Sequence, residues 1–113
     1  MVNQGMPRAK RLGPAKLPPV TIKNLRFEAV HSGRSRGLDQ NGGYIAAFDA
    51  TSGEELWTLK VYDVVYDAKM ETDLQDIFIV SMSKSLFGGK LKIADEKGRK
   101  YVVDPETRSV QQD

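Results

Sequence analysis

Between Ala47 and Trp57 the chain reads Ala-Phe-Asp-Ala-Thr-Ser-Gly-Glu-Glu-Leu-Trp, two segments folded back around an Asp-to-Gly corner. Gly53 suits a position that needs positive φ, and the side chains of Asp49 and Thr51 can bond backbone N–H groups inside the bend. The pattern predicts strands over Tyr44–Asp49 and Glu55–Tyr62. On the return strand Trp57, Leu59 and Val61 share the more apolar face, with Leu56, Thr58, Lys60 and Tyr62 opposite.

Short alternating segments between turn signals recur along the chain. Val20–Val30 reads as one strand whose apolar parity changes between Ile22 and Leu25, which predicts a bulge or bend at Lys23-Asn24. Ile77–Leu86 is the strongest strand; apolar residues on both faces at its start predict a central position in the sheet. Phe87-Gly88-Gly89 turns the chain. Lys90–Ala94 and Arg99–Asp104 form a second hairpin around Asp95–Gly98, and Ser109-Val110 adds a short edge strand. One short helix is predicted within 67–76, with Asp67 or Thr72 as its N-cap. The fold class expected is α+β leaning mainly β: a single small antiparallel sheet of about six strands with that one helix. Asp49–Gly53, Asp95–Gly98 and Asp104–Thr107 echo one another, as turn chemistry does in any antiparallel protein, and the echo is read as turns rather than as repetition.

The Ala47–Trp57 stretch resembles the signature of the quinoprotein-type (PQQ-like) β-propeller repeat, Ala-x-Asp-x-x-Thr-Gly-x-x-x-Trp, with Ser52 where that pattern has Thr. In that family the Trp packs between blades and the Asp and Gly hold the turn; these residues are structural and do not bind the quinone. The resemblance covers about a tenth of the 113 residues. A propeller needs at least about four blades of roughly 40 residues, so it implies a local shape and not a closed ring. The chain as a whole has the general look of a small bacterial domain.

Charge divides the chain. Residues 1–43 hold eight Lys/Arg and two Asp/Glu, a net +6, whereas residues 44–113 hold nine and thirteen, a net −4. Residues 1–18, rich in proline and without an acidic side chain, are expected to form a disordered basic arm. Residues 19–113 are expected to form a single, mostly antiparallel β domain with a flexible Gly-rich loop at 31–43. The absence of cysteine excludes disulfides, thiolate metal sites and cysteine nucleophiles. No unbroken apolar run of signal-peptide or membrane-spanning length occurs, so a cytoplasmic location is expected.

Chemistry is sparse. His31 is the sole histidine and reads as a surface residue; Glu71, Asp73 and Asp76 lack the ligand order of a calcium loop and read as a solvated acidic face. No catalytic residue, cofactor or metal is expected. The first reading is a non-enzymatic domain that acts through protein–protein contact, with an unspecified partner and no membrane. Its candidate surface is Tyr44 and Trp57, joined by Arg34, Arg36, Arg8, Lys10 and Arg11. The alternative is a nucleic-acid-associated protein that uses the basic arm and the 31–43 loop against phosphates. Oligomeric state stays open.

Overall fold

The computed structural model describes residues 13–113, so Arg8, Lys10 and Arg11 and most of the expected arm lie outside the described residues. Eight strands run in the order β1 (Val20–Ile22), β2 (Leu25–Val30), β3 (Tyr44–Asp49), β4 (Glu55–Lys60), β5 (Ile79–Lys84), β6 (Leu91–Asp95), β7 (Lys100–Asp104) and β8 (Ser109–Gln112). They form two four-stranded antiparallel meanders, β1-β2-β3-β4 and β5-β6-β7-β8. The expected single sheet of about six strands is corrected to two sheets of four. The helical content is one turn, α1 (Thr72–Gln75), and a 3-10 turn at Gly33–Arg36.

Two local causes account for the difference. The parity break in Val20–Val30 is a hairpin, not a bulge. Ile22 pairs with Leu25 across a two-residue loop, with Lys23 in the left-handed region at φ 56°. A tight turn and a bulge shift apolar parity in the same way, so the sequence does not separate them. The bulge falls instead in β5, between Ile79 and Ser81. It lets Ile79 and Met82 both face inward while Val80 turns to solvent. β5 is an edge strand of the second sheet, not a central one.

The core lies between the sheets. Phe27, Ile45 and Ala47 from the first meander meet Ile79, Leu91, Ile93 and Val103 from the second. The sheets come together where β1 approaches β5. Val61 and Tyr62, expected at the end of β4, lie beyond it and, with Val64, pack into this core from the connecting segment. Leu17, in the stretch leading to β1, packs against the same cluster.

The last hairpins of the two meanders match atom for atom in their turns. In the first, Asp49 Oδ1 accepts the N–H groups of Thr51 at 2.8 Å and Ser52 at 2.9 Å, and Gly53 N–H bonds Asp49 O. In the second, Asp104 Oδ1 accepts Glu106 at 2.9 Å and Thr107 at 3.5 Å, and Arg108 N–H bonds Asp104 O. Gly53 (φ 80°) and Arg108 (φ 60°) occupy the same left-handed position. Two of the three echoing turns, Asp49–Gly53 and Asp104–Thr107, therefore mark equivalent corners of the two meanders, whereas Asp95–Gly98 stands where the first meander has residues 31–43.

Arg108 holds a conformation that favours glycine because the turn requires it there, and its guanidinium lies 4.8 Å from the Trp57 ring, tying the second sheet's last turn to the first sheet. The cation–π contact is worth about 0.5–1 kcal/mol and the left-handed backbone costs about 1–2 kcal/mol. Arg108→Ala keeps the cost and loses the contact, whereas Arg108→Gly loses both. The glycine variant is expected to unfold at a higher urea midpoint than the alanine variant, by about 1 kcal/mol. Equal midpoints would show that the left-handed backbone at position 108 carries no such cost.

Candidate functional site

The structure separates the sequence candidates. Ala47 faces Trp57 across the ladder on the inner side of the first sheet, and Tyr44 faces Lys60 on the outer side. Trp57 is half-buried, edge-on to Phe27 at 5.9 Å and covered by Arg108. Tyr44 is buried with Val30 and Ala46 under Leu38. Its hydroxyl donates to Asp39, which also takes the Lys60 ammonium at 2.8 Å. Lys60, with Tyr44 behind it, holds the Asp39 carboxyl below its ordinary range, and Asp39 and Asp63 raise Lys60 in return. Tyr44 and Trp57 do not share a surface.

The two loop arginines are also apart and engaged. Arg36 donates to the Glu55 carboxylate and reaches Thr58 Oγ1 at 3.5 Å, strapping the loop across β4. Arg34 lies over the Tyr66 ring at 5.0 Å. Residues 31–43 therefore cover the outer face of the first sheet. Their hub is Gln40, 2% exposed, whose Nε2 donates to Gly42 O at 2.9 Å and Tyr62 O at 2.8 Å while Oε1 accepts Val64 N–H at 2.9 Å. Gly42 is glycine because a Cβ there would stand 2.4 Å from Ile77 O. His31 sits 3.3 Å from Ile79 O and edge-on to Phe78, with partial burial lowering its pKa. It pins the loop to β5.

Below the loop lies a buried polar cluster. Asp95 is 1% exposed and accepts the Tyr101 hydroxyl at 2.9 Å, Arg99 Nε at 2.8 Å, and the N–H groups of Lys97 at 2.9 Å and Arg99 at 3.1 Å. Tyr101 stacks on Tyr62, centroids 5.1 Å apart, and the Tyr62 hydroxyl donates to Ile77 O. Asp76 is likewise buried; it accepts Tyr66 OH at 2.6 Å and Asn41 Nδ2 at 3.1 Å. Among the described residues every buried side-chain nitrogen and oxygen has a partner. A cluster whose polar atoms are all paired rigidifies the core around it.

All four tyrosines of the chain are raised above the ordinary phenol range, in each case chiefly by burial, with Tyr101 pushed up to about 12. Raised folded-state values mean that this stability is present below about pH 10 and is lost as pH climbs towards about 12. Absorbance at 295 nm should show less phenolate in the folded chain at pH 10 than the about half titration expected in urea. Normal titration of the folded chain would contradict the buried cluster.

The opposite end carries what the sequence did not flag. The β1–β2, β3–β4, β5–β6 and β7–β8 turns gather there. From the β5–β6 turn Leu86 and Phe87 project into solvent, 92% and 87% exposed. The turn itself is well tied: Ser85 Oγ donates to Phe87 O at 2.6 Å and accepts Lys90 N–H at 2.9 Å, and Ser85 N–H bonds Lys90 O at 2.9 Å. Beside it lies a cleft of about 220 Å³ floored by Ile22, Leu25 and Pro105, with Gly88 and Gly89 as one wall. Lys23, Lys90, Asp104 and Glu106 form its rim. The available signal was two large apolar residues entering a Gly-Gly turn, where turn chemistry favours small and polar ones.

Among the described residues no three His, Asp or Glu side chains gather as a metal site, and no helix is long and apolar enough to cross a membrane. Comparison with known protein families, with curated proteins and with solved structures gave no match.

Proposed function

We propose that the chain is a small non-enzymatic β module that acts through protein–protein contact, and that the turn end is its contact surface. The observation that carries this is the exposed Leu86-Phe87 pair on a hydrogen-bonded turn. A turn whose backbone is already tied presents two large apolar side chains without having to order the chain on docking, which suits anchor residues. The adjoining cleft supplies a recess with an apolar floor and a charged rim. The two four-stranded meanders have the strand number of propeller blades. Residues 31–43 cover the outer face of the first sheet, which sets that sheet apart from a blade stacked between two others. The engagement of Arg34 and Arg36 within the fold weighs toward protein contact over phosphate binding.

The test places a photo-reactive phenylalanine analogue at position 87 of the full chain in living cells, with the same analogue at Lys97, an exposed residue of the β6–β7 turn at the other end of the sheet, as control. Position 87 should give discrete protein adducts that position 97 does not. Identical diffuse labelling from both sites would reject the reading. Retention on a polyanion resin that falls steeply with salt, without such adducts, would favour the nucleic-acid alternative.

A further inference from the structure

We infer that the turn end is self-complementary and that its partner is a second copy of this chain, docked turn end to turn end about a two-fold axis. This rests on the protein-contact reading and names the partner. The plug, Leu86-Phe87, and the cleft floored by Ile22, Leu25 and Pro105 are neighbours on one molecule, separated only by Gly88 and Gly89. The plug does not fill its own cleft, since both side chains are almost fully exposed. A two-fold axis beside such a pair brings each plug over the other molecule's cleft and closes the assembly at two copies.

The rim charges fit the same operation. Lys23 lies 3.5 Å from Glu106 and Lys90 3.2 Å from Asp104, so each cleft carries two cations and two anions. With each pair closed within its own molecule the rim carries no net charge, so a second copy meets it without like-charge repulsion. An anionic lipid surface would meet Asp104 and Glu106 as well as the lysines, which makes it the poorer fit for the same plug. Each phenylalanine buries roughly 150–250 Å². The contact is therefore at the small end of specific interfaces, and the dimer is a weak one with Kd on the order of 10–100 µM.

The experiment is sedimentation equilibrium of the full chain from about 1 to about 500 µM. The wild type should pass from its 12.6 kDa monomer to twice that mass with rising concentration. The double variant Leu86→Ser/Phe87→Ser should lose at least about tenfold in association. It alters only exposed side chains, and an unchanged thermal transition verifies its fold. Pro105→Lys puts a long charged side chain over the cleft at a turn position that Ala50 fills in the first meander, and it should weaken association as strongly. An equimolar mixture of the two variants restores one plug and one cleft and should associate more than either alone. A wild type that stays monomeric at about 500 µM overturns the proposal, as does a dimer indifferent to either variant or no gain on mixing. A monomer that sediments with anionic vesicles through Leu86 and Phe87 overturns it in favour of a lipid surface. Adducts from position 87 with a different protein, together with a monomeric pure chain, would leave the protein-contact reading standing and remove only the second copy.

Discussion

Asp95→Ala is expected to destabilise the fold by about 3 kcal/mol, read as a lowered urea midpoint at unchanged slope. The figure follows from what the carboxylate holds. It accepts four hydrogen bonds, two from side chains and two from the backbone of its own turn, at 1% exposure. Arg99 is 41% exposed at its side chain and can turn to water when its partner goes. The Tyr101 hydroxyl cannot, because Tyr101 is 4% exposed under the stacked Tyr62 ring. One stranded buried hydroxyl plus the lost charge-assisted bonds reaches the stated size.

Burial pushes the Asp95 carboxyl upward, and the N–H and guanidinium of Arg99, the Tyr101 hydroxyl and the Lys97 N–H outweigh it, leaving the pKa below the ordinary carboxylate value. A depressed folded-state pKa contributes stability that is full above the unfolded value, near pH 4, and is lost as pH falls through the folded value. Asp95→Asn should therefore be less stable than wild type at pH 7 and should flatten the acid limb below about pH 4. A wild-type slope in the asparagine variant would assign that limb to other carboxylates.

What was legible in the chain was local. The Asp49–Gly53 corner, the Asp95–Gly98 corner and the alternation in β6 and β7 each specify a hairpin by turn residues and period alone, and each is present. Partition into two sheets was not legible, because it depends on where the chain leaves a sheet. Val61 N–H still bonds Gly43 O in the register of β3 and β4, but beyond it Tyr62 O and Val64 N–H go to the Gln40 side chain instead of a strand. Period-2 patterning reports that a residue is apolar on one side, and it is silent on which backbone pairs with it. At the turn end, Leu86 reads as the close of a strand and Phe87 as the start of a turn, because nothing nearby in sequence says that the core is already complete without them. Gln40 is the clearest omission. A glutamine in a Gly-rich run reads as solvated, and only partners 22 and 24 residues away make it a buried hub.

That hub gives the other large expected effect. Gln40→Leu keeps approximate volume and removes every polar atom from the site. Gly42 O, Tyr62 O and Val64 N–H then lose the side chain that satisfies them. Each buried group left unpaired costs about 1–3 kcal/mol, so a loss of about 4 kcal/mol is expected, or a drop in Tm of roughly 15–25 °C for a domain of this size. Gln40→Glu is expected to be no better: its two oxygens accept Val64 N–H but donate to neither carbonyl, and they bring a charge among them. Ser35→Ala, which removes one exposed bond to Ser32 O in the same loop, should stay within about 0.5 kcal/mol of wild type. Hydrogen exchange separates a local from a global effect. If Gln40 only tacks down the loop, the leucine variant loses protection across 31–43 and at Val61 and Val64 while β6 and β7 keep theirs. If the loop is part of the cooperative unit, protection falls in both sheets together, and the second outcome is expected because Tyr62, whose carbonyl Gln40 holds, stacks on Tyr101 in β7.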